Sequence, residues 1–210
     1  MKLYSHNFKD GGAIPGKNSF AVYDPENNIR LSDNLNPHLR WEDAPAGTQS
    51  LVLLCHDPDV PTSAENVNQP GKRVPASLPR ADFFHWLLLN IPAGQSEIVE
   101  GSQSHGISAG GKQGPSAPDG LTHGINDYTG WFANDESMAG TYYGYDGPCP
   151  PWNDEIIHHY VFTLYALPTP TLNVAGELTG ANIRRTLENS DVLAKATLTG
   201  VYSLNPDVKV

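Results

Sequence analysis

Three short segments carry side chains able to do chemistry. The first is 57-DPDVP-61, directly after an apolar run. Asp-Pro favours a turn and Pro61 fixes its exit, which places Asp57 at the end of a buried strand. A carboxylate there needs donors or cations, or it takes up a proton. An aspartate in such a turn also bonds its own backbone, so a capping role competes with a site role. The second segment is 85-HWLLLN-90. Strand alternation puts His85, Leu87 and Leu89 on one face and Trp86, Leu88 and Asn90 on the other. A histidine on an apolar face is as readily a satisfied core residue as a ligand group. The third is 147-GPCPPWNDEIIHHY-160. Gly147 followed by Pro148, Pro150 and Pro151 makes a stiff loop that loses little entropy when a ligand orders against it. His158 and Tyr160 then share one strand face and His159 takes the other, so the neighbouring histidines are not a chelating pair.

The elements that must position these groups are short strands. Ser50 to His56, Phe83 to Ile91, His159 to Leu167 and Lys195 to Leu204 are apolar or β-branched runs bounded by proline, glycine or polar residues. Their length and boundaries favour strand over helix. The near-continuous apolarity of the first two predicts strands covered on both faces. One helix is expected near the C-terminus, capped by Thr179, with Ile183 and Leu187 on its inner face and Asn189-Ser190 at its end. Gly101 to Gly147 holds 11 glycines in 47 residues and few aliphatics, which reads as one long loop. Its aromatics, Tyr128, Trp131-Phe132 and Tyr142-Tyr143, are placed to anchor it or to shape a pocket rim. The fold class expected is mainly β: a Greek-key β-sandwich with one or two short helices. The length of 210 residues predicts a single domain over 1–210, with 101–147 as a long loop insertion within it.

Composition narrows the partners. The formal charge is −10, which argues against nucleic acid or an anionic membrane surface as the main partner. No run approaches the roughly 20 apolar residues of a membrane span, and the polar start, Met1 to Gly12, has no signal-peptide core. Cytoplasmic location is the expectation. Cys55 and Cys149, far apart and with no CxxC spacing, are expected as two reduced thiols.

Taken together, 36-NPHLRW-41, 57-DPDVP-61, 85-HWLLLNIP-92, 147-GPCPP-151, 158-HHYVFTLYAL-167 and 193-LAKATLTGVYSL-204 resemble the phosphatidylethanolamine-binding protein family, and within it the bacterial, Raf-kinase-inhibitor-like branch. Order and coarse spacing agree from about Leu3 to Leu204. The resemblance implies a β-sandwich with a small pocket for a phosphate-like anion or a phospholipid headgroup such as phosphoethanolamine. The residues that match the family's pocket are Asp57, Pro61, His85, Gly147, Pro148, Pro150, Pro151, His158 and Tyr160. His159 stands where the family usually has arginine, which puts any charge pair made there in doubt.

On this reading the protein binds rather than catalyses, with no cofactor and no metal. If His85 and His158 are both protonated, they and Asp57 leave a net charge of about +1 beside the anion. Ring N–H groups, the Tyr160 hydroxyl and backbone N–H groups of the Gly147 loop would then be the donors. Two other classes stay open: a metal-dependent or histidine-based hydrolase using Asp57, His85 and His158, and a kinase or protease inhibitor acting through the long loop. A homodimer or another protein partner is compatible with either.

Overall fold

The computed structural model describes all 210 residues. In chain order the elements are β1 (Lys2–Tyr4), β2 (Ala21–Asp24), β3 (Asn28–Leu31), β4 (Leu39–Glu42), β5 (Ser50–Pro61), β6 (Arg80–Pro92), β7 (Glu97–Ile98), β8 (Thr122–His123), α1 (Tyr128–Trp131), β9 (His158–Leu167), α2 (Gly180–Glu188) and β10 (Ala194–Tyr202). The main sheet has five strands in the order β10-β9-β5-β6-β8. β5, β6 and β8 are successive antiparallel neighbours, and β9 returns to pair antiparallel with β5 on its far side. That spatial order is a Greek key. A three-stranded sheet, β1-β4-β7, forms the opposing layer, and β2 and β3 make a separate hairpin.

β5 shows why its sequence is apolar without a break. Leu51, Leu53 and Cys55 belong to the larger core, with Leu39 and Trp41 of β4 and Ile98 of β7. Val52 and Leu54 belong to a second core on the opposite face, with Ile183 and Leu187 of α2. One face is covered by a sheet and the other by a helix, so neither parity can be polar. β10, at the sheet edge, alternates instead: Ala196, Leu198 and Tyr202 are buried, whereas Lys195 and Thr197 are exposed. α2 begins as expected, with Thr179 Oγ1 accepting from the Asn182 N–H at 3.3 Å. Gly180 lies against the Phe84 ring so closely that a Cβ would collide with it, which lets the first turn seat on the sheet. No helix is long and apolar enough to cross a membrane, and Cys55 and Cys149 are both free thiols.

Three expectations need correction. β5 does not stop at His56 but runs to Pro61. Its pairing with β9 ends at His56, so Pro58 has no ladder bond to make on that side. Second, simple alternation fails along β6. The register with β5 slips between Cys55/Trp86 and His56/Phe84, which leaves His85 as an extra residue, a β-bulge. Phe84 therefore shares the helix-side core with Leu87 and Leu89, and His85 leaves their face for that of Tyr160. A second slip sits where Asn90 adopts a positive φ of 63°, with its Oδ1 accepting from the Leu172 N–H at 3.4 Å. Third, residues 101–147 are not one loop. They return an edge strand, β8, to the main sheet and form the one-turn helix α1.

Candidate functional site

The ends of β5, β6 and β9 converge where β5 and β6 both depart from regular pairing. Bulges re-aim side chains, and here they turn His85 toward Tyr160, with ring centroids 5.1 Å apart and nearly perpendicular. A cavity of about 290 Å³ opens there. Asp57, Pro61, His85, Pro150, Pro151, His158 and Tyr160 all line it. Gly147 and Pro148 do not. The Gly147 N–H donates to Asn34 Oδ1 at 2.8 Å, and its carbonyl accepts from the Tyr128 hydroxyl at 2.8 Å. The Pro148 carbonyl accepts from the Phe20 N–H at 2.9 Å. Both residues are bracing behind the cavity wall, and the Gly147 amide is already spent on Asn34.

The deepest part is a buried charge network. His158 is fully buried. Its Nδ1–H donates to Asp57 Oδ2 at 2.7 Å and its Nε2–H to Asp154 Oδ2 at 3.1 Å. Asp154 also receives a two-pronged bond from Arg80, at 2.6 Å and 3.0 Å. The Asp57 Oδ1 accepts from the Asp59 N–H at 2.8 Å, so Asp57 caps its own turn and holds His158 at once. Burial opposes a charge on His158, but the bonds and charges of Asp154 and Asp57 together outweigh it and push its pKa up to about 9. Asp154 is likewise penalised by burial, yet His158 and Arg80 hold its pKa below the ordinary carboxylate value.

His85 behaves differently. Its Nδ1–H donates to the Asp146 carbonyl at 2.7 Å, and Nε2 makes no hydrogen bond within the chain. Burial lowers its pKa, with Asp57 working against that shift. The neutral ring therefore presents a lone pair at Nε2. Near it, the buried Tyr160 hydroxyl makes no hydrogen bond of good geometry in the protein, with the Asp57 carboxylate as its neighbouring acceptor. Burial, and then the charge and the hydrogen-bonding pull of Asp57, raise the Tyr160 pKa well above the usual phenol value, so it stays a donor that a ligand oxygen can draw away from Asp57.

The charge count read from sequence does not hold. Asp57 and Asp154 face His158 and Arg80, and the four charges cancel. Asp154 and Arg80 escaped the sequence reading. The signal available was Asp154 four residues before His158, in a stretch the prolines keep from being helical. His159 points outward, as alternation predicts, and binds Asp59 Oδ2 through its backbone N–H and Nδ1 at 2.9 Å and 2.8 Å. It makes a local pair on the exposed face, away from the cavity.

The upper wall comes from the glycine-rich segment. Tyr128, Trp131 and Phe132 line the cavity with Phe20 and Phe83. This wall is held from behind by Asp146, whose carboxylate accepts from Lys112 Nζ at 2.5 Å, Asn34 Nδ2 at 2.8 Å and Asn126 Nδ2 at 2.9 Å. Tyr142 packs behind the wall with Phe20 and Tyr128, so the aromatics of this segment serve both as anchor and as rim.

Comparison with known proteins agrees with this architecture. The family profile "Phosphatidylethanolamine-binding protein" matches residues 4–203. The chain belongs to the phosphatidylethanolamine-binding protein family. Among its relatives, YbhB of Escherichia coli K12 is 30% identical over 209 residues, covering 97% of this chain and all of YbhB. An Aquifex aeolicus relative is 28% identical over 204 residues, covering 96% of this chain and 88% of its own. Of solved structures, E. coli YbcL, described as a member of the mammalian PEBP family, superposes with a TM-score of 0.66 at 26% identity, covering 96% of this chain and 97% of YbcL. A Chlamydia trachomatis homologue gives 0.60 at 26% identity, with 96% of each chain covered.

The raised pKa of His158 gives this PEBP family member a pH signature. A group whose pKa rises on folding contributes stability that is fully present below its unfolded value, near 6.5, and is lost as pH climbs through about 9. Between pH 6.5 and 8.5 His158 is expected to cost the native state about 2 kcal/mol, offset by up to about 1 kcal/mol from His56, His85 and His123, whose lowered pKa values add stability as pH rises past 6.5. Urea midpoints across that window check this, because it lies below most thiol and phenol ionisation. The same pH slope in His158→Gln as in the wild type would mean that His158 is not held as an imidazolium.

Proposed function

We propose that this protein binds a small phosphate-bearing ligand, with phosphoethanolamine as its reference headgroup, in the cavity between β6, β9 and α1, and that it does so without catalysing a reaction. The observation that carries this reading is the pair of uncommitted polar atoms at the buried end of the cavity, the Tyr160 hydroxyl and the His85 Nε2. The hydroxyl donates to a phosphate oxygen. Nε2 accepts from the hydroxyl of a singly protonated phosphate, or takes up a proton and then donates to the dianion. Asp57 lies on the same cavity and suits the ammonium of an ethanolamine group. Family membership supports the same class of ligand.

The hydrolase reading has less support. Both ring nitrogens of His158 are engaged by carboxylates, and the ring is charged at neutral pH, so it offers no lone pair for proton abstraction or for a metal. Titration with phosphoethanolamine and with inorganic phosphate, followed by calorimetry or NMR, tests the proposal. Saturable binding is expected, and Tyr160→Phe should weaken it about tenfold, the cost of one hydrogen bond to a charged acceptor. Affinity should fall as pH rises, because binding the dianion draws a proton to His85. Failure to saturate at millimolar ligand, or full affinity in Tyr160→Phe, counts against the assignment.

A further inference from the structure

The polar end occupies only part of the cavity. Of the 18 residues that line it, 11 are hydrophobic. Phe20 and Tyr128 stack with centroids 4.7 Å apart and planes at 14°. Tyr128 and Phe132 stack at 5.6 Å and 22°. Phe83 meets Tyr128 edge-on at 5.2 Å. At the outer end, Trp131 is 47% exposed and Leu31 58% exposed, and both still line the cavity. Large apolar side chains left open to water at a cavity mouth are a feature the core does not require.

Two quantities narrow the occupant. The volume of about 290 Å³ is roughly twice that of an apolar cavity of about 150 Å³ that accepts a benzene molecule. The space therefore suits one flat ring in addition to a phosphate group. The charges around the polar end cancel, and the chain as a whole carries −10. Net attraction for a bare anion is absent, so the apolar wall must supply much of the affinity.

We infer that the preferred ligand is a small aryl phosphate, with its phosphate at His85 and Tyr160 and its ring among Phe83, Phe132 and Trp131. This rests on the phosphate reading above and names the group that the phosphate carries. A ring seated among these aromatic side chains makes offset-stacked or edge-to-face contacts that an alkyl chain of equal size does not. The source is taken to be a free small molecule.

The test is a set of titrations on the intact protein with inorganic phosphate, phosphoethanolamine, phenyl phosphate, hexyl phosphate and capped phosphotyrosine. Phenyl phosphate should bind at least tenfold tighter than phosphate or phosphoethanolamine, and more tightly than hexyl phosphate. In Trp131→Ala that advantage should collapse, and Leu31→Ser should reduce it. Both side chains are exposed enough for the variants to fold, which circular dichroism verifies. Equal or tighter binding of phosphotyrosine supports the aryl phosphate chemistry and moves its source to a protein side chain. Phosphate or phosphoethanolamine binding as tightly as phenyl phosphate overturns this inference while the phosphate reading stands. Hexyl phosphate matching phenyl phosphate overturns the preference for a ring. No binding of any of these ligands overturns both.

Discussion

His158→Leu is expected to lose about 3–5 kcal/mol of stability, a large share of the roughly 5–15 kcal/mol that holds a domain of this kind together. The loss does not come from packing, since leucine fills a similar volume. It comes from what the imidazolium leaves behind. Asp57 and Asp154 are buried on either side of it, at 2.7 Å and 3.1 Å. Arg80 neutralises Asp154, but Asp57 then keeps the N–H of Asp59 and the neighbouring Tyr160 hydroxyl, neither of which carries a positive charge. Asp57 must then carry an uncompensated charge in the interior or take up a proton. The double variant with Asp57→Asn removes that charge, and it should recover part of the loss. A double-mutant cycle read by urea denaturation measures the coupling, expected between about 1 and 3 kcal/mol. A single-variant loss below about 1 kcal/mol, or purely additive effects, would show that the pair is not the keystone of the cavity floor. Binding should weaken with His158→Leu even at temperatures where the variant remains folded, because the Asp57 carboxylate loses the bond that fixes it in the cavity floor.

The second large effect is expected at a residue outside the cavity. Asp146→Ala removes the acceptor shared by Lys112, Asn34 and Asn126, all of which turn inward to reach it. The Lys112 side chain is only 15% exposed, and its ammonium is left without its carboxylate. Two side-chain amides lose a partner as well. Each donor keeps a backbone carbonyl, of Tyr145, Gly106 and Gly144 respectively, so each lost bond costs about 1 kcal/mol and a total near ~3 kcal/mol is expected. The variant has a second consequence. Asp146 accepts a bond from Lys112 at its carboxylate and a second from the His85 Nδ1–H at its own carbonyl, at 2.7 Å. Loosening it frees the His85 ring to change tautomer, and it releases the segment that carries Tyr128 and Phe132. Faster proteolysis within 101–147, together with weaker phosphate binding, is the expected pairing. Asp146→Asn keeps the shape and loses the charge, and should fall between the two. Wild-type protease resistance in Asp146→Ala would mean that the aromatic packing alone anchors this wall.

Much of this protein was legible in its sequence because the relevant rules are local. Apolar runs cut by Pro and Gly marked the four long strands, since backbone propensity and burial pattern act within a few residues. The Thr179 cap and the Ile183–Leu187 spacing marked α2 for the same reason. The parity that sets His158 and Tyr160 inward and His159 outward held because β9 is regular throughout its pairing with β10. Most of the residues drawn from the motifs also line the cavity, seven of nine, although they make up fewer than half of its 18 lining residues.

Tertiary structure alone decided the rest. Alternation could not place His85, because the extra residue there exists only through the register that β6 adopts against β5. Gly147 and Pro148 belong to the same motif as Pro150 and Pro151, yet they face Asn34, Tyr128 and Phe20 rather than the cavity. No local rule separates them. The protonation of the site was equally out of reach. Whether His158 is charged depends on Asp154 and Asp57, and Asp57 lies 101 positions away until folding brings it to 2.7 Å. A histidine pKa is set by every charge and by the amount of water within a few ångströms, and that is a property of the assembled interior. The glycine-rich segment shows the same division. Its composition spoke for a loop, because propensity is a weak prior against long-range contacts. The edge of β6, the carboxylate of Asp146 and the ring of Phe20 instead turned it into an edge strand, a helical turn and the wall of the cavity.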